Sequence, residues 1–139
     1  MKGGIKTMLD YWKGKQLDVN SIFVYDGSGL SPRNSISTKT LSQLMQITHS
    51  EKQMYNAFFP SLAIAGQTGT LRYMFQKSPA KGNIYAKSGY IDRVLSYTGY
   101  VYARSGKKYA FSIIINNFQG KTGPVKRKIE KVLEAIYDS

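Results

Sequence analysis

The spacing of apolar residues changes along the chain, and each change marks an element. Between Gly4 and Lys15, Ile5, Met8, Leu9 and Trp12 recur at helical intervals, which predicts an amphipathic helix ended by Gly14. Ser21 to Tyr25 is a short apolar run feeding Asp26-Gly27-Ser28-Gly29-Leu30-Ser31-Pro32-Arg33-Asn34, whose glycines and proline force a loop. From Thr38 or Thr40 as N-cap, Leu41, Leu44, Met45 and Thr48 trace a second helix. Ser50-Glu51-Lys52-Gln53 reads as a capping box opening a third, which Pro60 closes. A short helix is expected around Leu71 to Phe75. Beyond Pro79 the pattern turns to strands: 84–87, 96–103 and 108–116 are rich in Tyr, Val and Ile, the last two joined by the turn Arg104-Ser105-Gly106-Lys107. Pro124, at a first helical position, opens a last helix whose Val125, Ile129, Val132, Leu133 and Ile136 form a stripe suited to packing on the sheet. The expected fold is α/β of the α+β kind, an antiparallel sheet flanked by helices.

Composition narrows the chemistry. The chain has 139 residues, 42% hydrophobic and 20% charged, which is one folded domain's worth rather than a disordered segment. The absence of cysteine excludes disulfides, thiol nucleophiles and thiolate metal sites, and the single histidine, His49, excludes a multi-histidine metal site. His49 closes a helical pattern just before a cap, so it reads as an exposed or capping residue rather than a general base. No apolar run approaches the roughly 18 residues that span a bilayer, and the first residues carry no apolar signal core. Charge is the distinctive feature: 20 Lys and Arg against 8 Asp and Glu give +12, and between Glu51 and Glu130 Asp92 is the only acid. Such a surface attracts anions: nucleic acid, an anionic polymer or membrane surface, or a small substrate ending in a carboxylate.

Lysine carries the specific signal. Lys87-Ser88-Gly89 stands at the end of a predicted strand, where an ammonium, a hydroxyl donor and a glycine in succession make an anion site against which a substrate backbone can lie. It has company in order along the chain: Asp26-Gly27-Ser28-Gly29-Leu30-Ser31, then Ala65-Gly66-Gln67-Thr68-Gly69-Thr70-Leu71, then Ala86-Lys87-Ser88-Gly89 followed by Tyr97-Thr98-Gly99-Tyr100-Val101. Over nearly its whole length the chain resembles the C-terminal part of the class C low-molecular-mass penicillin-binding proteins, the D-alanyl-D-alanine carboxypeptidase/endopeptidase family. That family uses a nucleophilic serine with lysine three residues on, a Ser-x-Asn motif and a Lys-Thr/Ser-Gly motif.

The resemblance implies a β-lactamase/transpeptidase-like fold, an acyl-enzyme mechanism, no metal or organic cofactor, and D-Ala-D-Ala stem peptides of peptidoglycan and β-lactams as partners of the parent, outside the cytoplasmic membrane. It leaves carboxypeptidase and endopeptidase activity open. By this match Lys87 sets the electrostatics of the site, Ser88 binds the terminal carboxylate beside Gly89, and the backbone N–H of Tyr90 donates to the oxyanion. Ser31 matches the hydroxyl of the second motif, which relays a proton to the leaving amine. Asn34 stands for its amide-contacting asparagine, although two residues intervene where the motif has one. A second, literal triplet, Lys121-Thr122-Gly123, lacks the flanking strand pattern and reads as a loop and helix start. The first motif is missing: Ser78-Pro79-Ala80-Lys81 and Ser105-Gly106-Lys107-Lys108 have the spacing but fall in turns and follow Ser31, whereas the family's nucleophile precedes it.

The expectation is therefore a catalytic-domain portion lacking its nucleophile, inactive alone, with an exposed sheet edge open to self-association. The alternative is a basic nucleic-acid-binding module, with 11 Tyr and 6 Phe available for base stacking. A structural role for a truncated paralogue is the third reading.

Overall fold

The computed structural model describes residues 2–139. The described residues form four helices, α1 (Lys2–Gly14), α2 (Thr38–Ser50), α3 (Lys52–Phe58) and α4 (Thr122–Asp138), and four strands, β1 (Ala63–Ile64), β2 (Ile84–Ile91), β3 (Val94–Tyr102) and β4 (Lys108–Ile115). The sheet is antiparallel throughout, in the order β1-β2-β3-β4. The period-two pattern of β3 divides its side chains between two cores. Leu95, Tyr97 and Val101 face α4 and the loop after β1, packing with Ile129, Leu133, Leu71 and Phe75. Tyr100 and Tyr102 face α2 and α3, packing with Met45, Tyr55 and Phe59. The sheet is thus the middle of three layers.

Both flanking layers are also tied by polar contacts. Tyr100 donates its hydroxyl to the Met45 carbonyl of α2 at 2.7 Å. Glu130 of α4 accepts the N–H of Phe75 at 3.0 Å, holding a buried aromatic whose φ of 60° belongs to the left-handed region. Lys15 meets Glu51 at 2.6 Å and joins the end of α1 to the start of α3. Burial pushes the Tyr100 phenol up to about 12. Its folded-state pKa lies above the ordinary value near 10, so the stability it supports is complete below about pH 10 and lost as pH rises through about 12. A fall in thermal midpoint across that alkaline window, reduced in Tyr100→Phe, is the expected outcome.

The structure shifts several boundaries. α2 is capped by Ser37, whose hydroxyl accepts the Thr40 N–H at 3.1 Å, rather than by Thr38 or Thr40. The capping box at Ser50 does not form: Glu51 is the N-cap of α3 without a side-chain bond, and the Ser50 hydroxyl donates to the Ile47 carbonyl behind it. The short helix at Leu71 is a 3-10 turn over Gly69–Leu71. Ser21 to Tyr25 contributes one isolated bridge, Phe23 to Ser35, and Phe23 and Tyr25 are exposed. Pro124 occupies the third position of α4, not the first. Of the α4 stripe, Ile129 and Leu133 are buried, whereas Val132 is 52% exposed. Leu133→Ala should therefore lower the unfolding free energy by about 2–5 kcal/mol in denaturant titration, and Val132→Ala by about 0.5 kcal/mol or less.

Candidate active site

The site is built on an unpaired length of strand. β1 pairs with β2 through Ala63 with Ala86 and Ile64 with Tyr85, so, among the described residues, 87–91 have no strand partner on that side. The backbone phase follows from two bonds: Tyr102 N–H donates to the Asn83 carbonyl and Ala65 N–H to the Ile84 carbonyl, both at 2.9 Å. Odd-numbered residues of β2 therefore bond to β3, and Ser88 and Tyr90 present their N–H and C=O groups to the open edge. Side chains alternate in the same way. Lys87 and Gly89 share the α2 face with Tyr85, and Ser88 and Tyr90 share the α4 face with Ile84 and Ala86.

Around that edge the Ser88 hydroxyl donates to the Thr70 hydroxyl at 2.8 Å, and the Lys87 ammonium donates to the Ser88 carbonyl at 2.9 Å. Thr70 sits on the Gly69–Leu71 turn, which is fixed to β1 by the Thr68 hydroxyl accepting the Ile64 N–H at 2.9 Å. Directly across β3 from Lys87 is Thr98, whose hydroxyl pairs with Ser112 of β4 at 2.9 Å. The missing Cβ of Gly89 makes room for the neighbouring strand: one built there would lie 2.6 Å from the Ser96 hydroxyl. The result is an ammonium, two hydroxyls and outward backbone groups around one strand edge, the donor set for a carboxylate-ended peptide.

Lys87, Ser88, Gly89 and Tyr90 come together on β2, in the strand's middle and C-terminal half rather than at the end of a strand closing at residue 87. Ser31 and Asn34 belong to a different segment, a loop closed by the Phe23–Ser35 bridge, and among the described residues no hydrogen bond joins that loop to β2. The Asn34 carbonyl oxygen accepts the N–H groups of Tyr25 (2.6 Å) and Asp26 (3.2 Å), and its amide nitrogen donates to the Asp26 carbonyl at 3.2 Å. In this structure the Asn34 amide thus braces its own loop. The Ser31 hydroxyl oxygen accepts the Arg33 N–H at 3.2 Å. The Ser28 hydroxyl bonded to Asp26 holds that carboxyl below the usual carboxylate range. Asn34→Ala should speed hydrogen exchange of the Tyr25 and Asp26 amides by at least ~10-fold while leaving β3 unchanged.

His49 lies at the exposed end of α2, edge-on to Tyr55 at 4.9 Å, a packing role. Lys121-Thr122-Gly123 caps and begins α4, and neither Ser78 nor Ser105 starts a helix. Thr70 is the site residue that sequence reasoning missed; it lay within the Gly-rich block but had no residue-type signal of its own.

Residues 2–137 match the family described as D-Ala-D-Ala carboxypeptidase 3 (S13). The chain belongs to this family. It is 34% identical over 115 residues to D-alanyl-D-alanine carboxypeptidase DacB of Haemophilus influenzae, covering 81% of this chain and 23% of that one. It is 31% identical over 137 residues to a D-alanyl-D-alanine carboxypeptidase of Actinomadura sp., covering 94% and 24%. Penicillin binding protein 4 of H. influenzae has the same fold, with a TM-score of 0.88 at 21% identity over 98% of this chain and 32% of that chain. A predatory endopeptidase of Bdellovibrio bacteriovorus superposes at 0.70 with 17% identity, over 88% and 33%. The chain therefore spans about a quarter of these two carboxypeptidases. Membership of the S13 family replaces the nucleic-acid reading, and Tyr100 and Phe111, 2% and 6% exposed, lie inside the two cores rather than on a stacking surface.

Proposed function

We propose that this S13 chain forms the substrate-carboxylate side of a serine-type D-Ala-D-Ala carboxypeptidase centre, acting on peptidoglycan stem peptides outside the cytoplasmic membrane. The observation that carries the reading is Lys87-Ser88-Gly89 lying on an open strand edge with Ser88 and Tyr90 backbone groups turned outward. A peptide ending in D-Ala-D-Ala adds to that edge as a further strand. Its carboxylate accepts a hydrogen bond from the Ser88 hydroxyl, which turns to it from Thr70, and is attracted by the charge of Lys87. The Tyr90 N–H donates to the scissile carbonyl oxygen as negative charge develops there. A serine from outside these 139 residues attacks that carbonyl, the C–N bond breaks, and the Ser31 hydroxyl relays the proton that the departing D-alanine amine needs. Water then hydrolyses the acyl ester. Asn34 serves by shaping the loop that carries Ser31. Endopeptidase cleavage uses the same groups on a cross-linked peptide, and β-lactams enter as mimics of the same carboxylate and amide.

The purified chain is expected neither to release D-alanine from a D-Ala-D-Ala peptide nor to form a covalent adduct with a fluorescent penicillin, as read by denaturing electrophoresis and mass spectrometry. An adduct on Ser78, or on any other serine of this chain, contradicts the reading.

A further inference from the structure

We propose that Glu130 of α4 is a positioning residue for Ser88: by fixing residues 69–75 it keeps the Thr70 turn against the Ser88 side chain, so that the hydroxyl is in place when a carboxylate arrives. The inference rests on the reading of Ser88 as the carboxylate donor and adds to it a residue from the helix behind the sheet.

Glu130 is half-buried and stands among Lys126, Arg127, Lys128 and Lys131, on a helix surface where a carboxylate ordinarily pairs with a cation three or four residues away. Among the described residues it makes no ion pair. Its carboxylate turns inward instead and accepts the Phe75 N–H. Two features of Phe75 give that bond its weight. The residue is 3% exposed with φ at 60°, a left-handed conformation that a bulky side chain keeps only where its surroundings hold it. Its N–H has no backbone acceptor among the described residues, so loss of the carboxylate leaves a donor unpaired beside a packed core. Phe75 is then free to return to ordinary backbone angles, and the turn before it moves with it.

The segment transmits that movement because it is short and closely bonded. The Gly66 and Met74 N–H groups both donate to the Leu71 carbonyl at 3.0 Å, and the Arg72 N–H donates to the Gly69 carbonyl at 3.2 Å. Leu71, Met74 and Phe75 are buried together in the core that Ile129 and Leu133 of α4 complete. Thr70, within this segment, accepts the Ser88 hydroxyl. A second line reaches the same place across the sheet. Tyr97 is the β3 partner of Ser88, and burial raises its phenol above the ordinary range with the Glu130 charge adding to the rise, so the carboxylate is also near the ring beside Ser88. Every contact in this path is internal to residues 66–130.

Three variants separate reach from charge. Glu130→Gln keeps the acceptor at its distance without the charge, Glu130→Asp keeps the charge and withdraws the acceptor by a methylene, and Glu130→Ala removes both. The test is heteronuclear NMR of each whole chain without ligand, then calorimetric titration with an N-acylated peptide ending in D-Ala-D-Ala and with its C-terminal amide. In Glu130→Asp and Glu130→Ala the Phe75 amide should exchange at least ~10-fold faster and the Thr70 and Ser88 amides should shift, while Tyr100 and Val101 of β3 keep their protection. Affinity for the acid should fall roughly 2- to 30-fold, with that for the amide unchanged. Glu130→Gln should match the wild type throughout. Thr70→Val, which preserves the volume of the turn, should also bind the acid like the wild type, because Glu130 secures the place of the turn and not its hydroxyl. If Glu130→Ala fails to fold, Glu130→Asp decides. An unmoved Ser88 amide in Glu130→Asp, equal losses in Glu130→Gln, equal loss of acid and amide binding, or loss of β3 protection overturns the proposal. A wild-type chain that does not distinguish acid from amide refutes the carboxylate reading, whereas the Ser88 amide of the ligand-free variants still decides what Glu130 positions.

Discussion

Gly99→Ala is expected to abolish cooperative folding. A Cβ at this position would sit 1.9 Å from the Tyr85 carbonyl oxygen and 2.7 Å from the Ala86 Cα, both backbone atoms of the adjoining strand. No rotamer change relieves such a clash, so β2 and β3 must separate at the pair that holds both cores and the site. Overlaps of this kind cost more than about 4 kcal/mol, a large part of the roughly 5–15 kcal/mol by which domains are stable. Thermal melting followed by circular dichroism should show no sigmoidal transition, or one lowered by more than about 10 °C. Gly106→Ala is the control: its site is open, its φ of 83° costs on the order of 1–3 kcal/mol, and it should melt cooperatively. A Gly99→Ala protein melting like the Gly106→Ala protein would show that the two strands are not held this closely.

The second large effect concerns Lys87 and Ser88. If the β2 edge receives a C-terminal carboxylate, Lys87→Ala and Ser88→Ala each remove one charge-assisted contact, worth about 1.5–3 kcal/mol, or roughly 10- to 150-fold in affinity. Calorimetric titration with an N-acylated peptide ending in D-Ala-D-Ala should show those losses, with the folded state unchanged because both side chains lie outside the cores. The same peptide with its carboxylate converted to an amide should bind the wild type as weakly as the acid binds the variants. Thr70→Val should have little effect, since the Ser88 hydroxyl then turns freely to the ligand. Equal affinity for acid and amide would remove the carboxylate from the account.

How much of this was legible in the chain depended on whether a local pattern carried it. The period-two runs of Tyr, Val and Ile announced β3 and β4, and the stripe at Ile129 and Leu133 announced α4, because burial on one face imposes those spacings. β1 was invisible: two residues, Ala63 and Ile64, have no period, and only their pairing with Ala86 and Tyr85 makes them a strand. The Tyr- and Ile-rich pattern of β2 ends at Lys87, which puts Lys87-Ser88-Gly89 at the end of a predicted strand. Pairing with β3 carries it on to Ile91, and the turn falls at Asp92-Arg93. The N-cap of α2 falls one residue before Thr38 and three before Thr40, because Ser37, Thr38 and Thr40 are chemically alike and only geometry selects Ser37.

At the site, Lys87 and Ser88 stood out through the neighbouring sequence blocks, whereas the openness of the edge beside them is a property of the sheet. Thr70 reaches Ser88 across 18 residues of chain, a distance no spacing rule spans. Asn34 was legible as part of its loop, yet its bonds to Tyr25 and Asp26 depend on the loop closing at the Phe23–Ser35 bridge.

The most direct test of the central claim follows the backbone amides by heteronuclear NMR while the N-acylated D-Ala-D-Ala peptide is added to the chain. Saturable shifts centred on Ser88, Tyr90 and Thr70, absent with the peptide amide and with the L-Ala-L-Ala isomer, are the predicted result. Unmoved β2 amides, or the same shifts from the L-isomer, would contradict it.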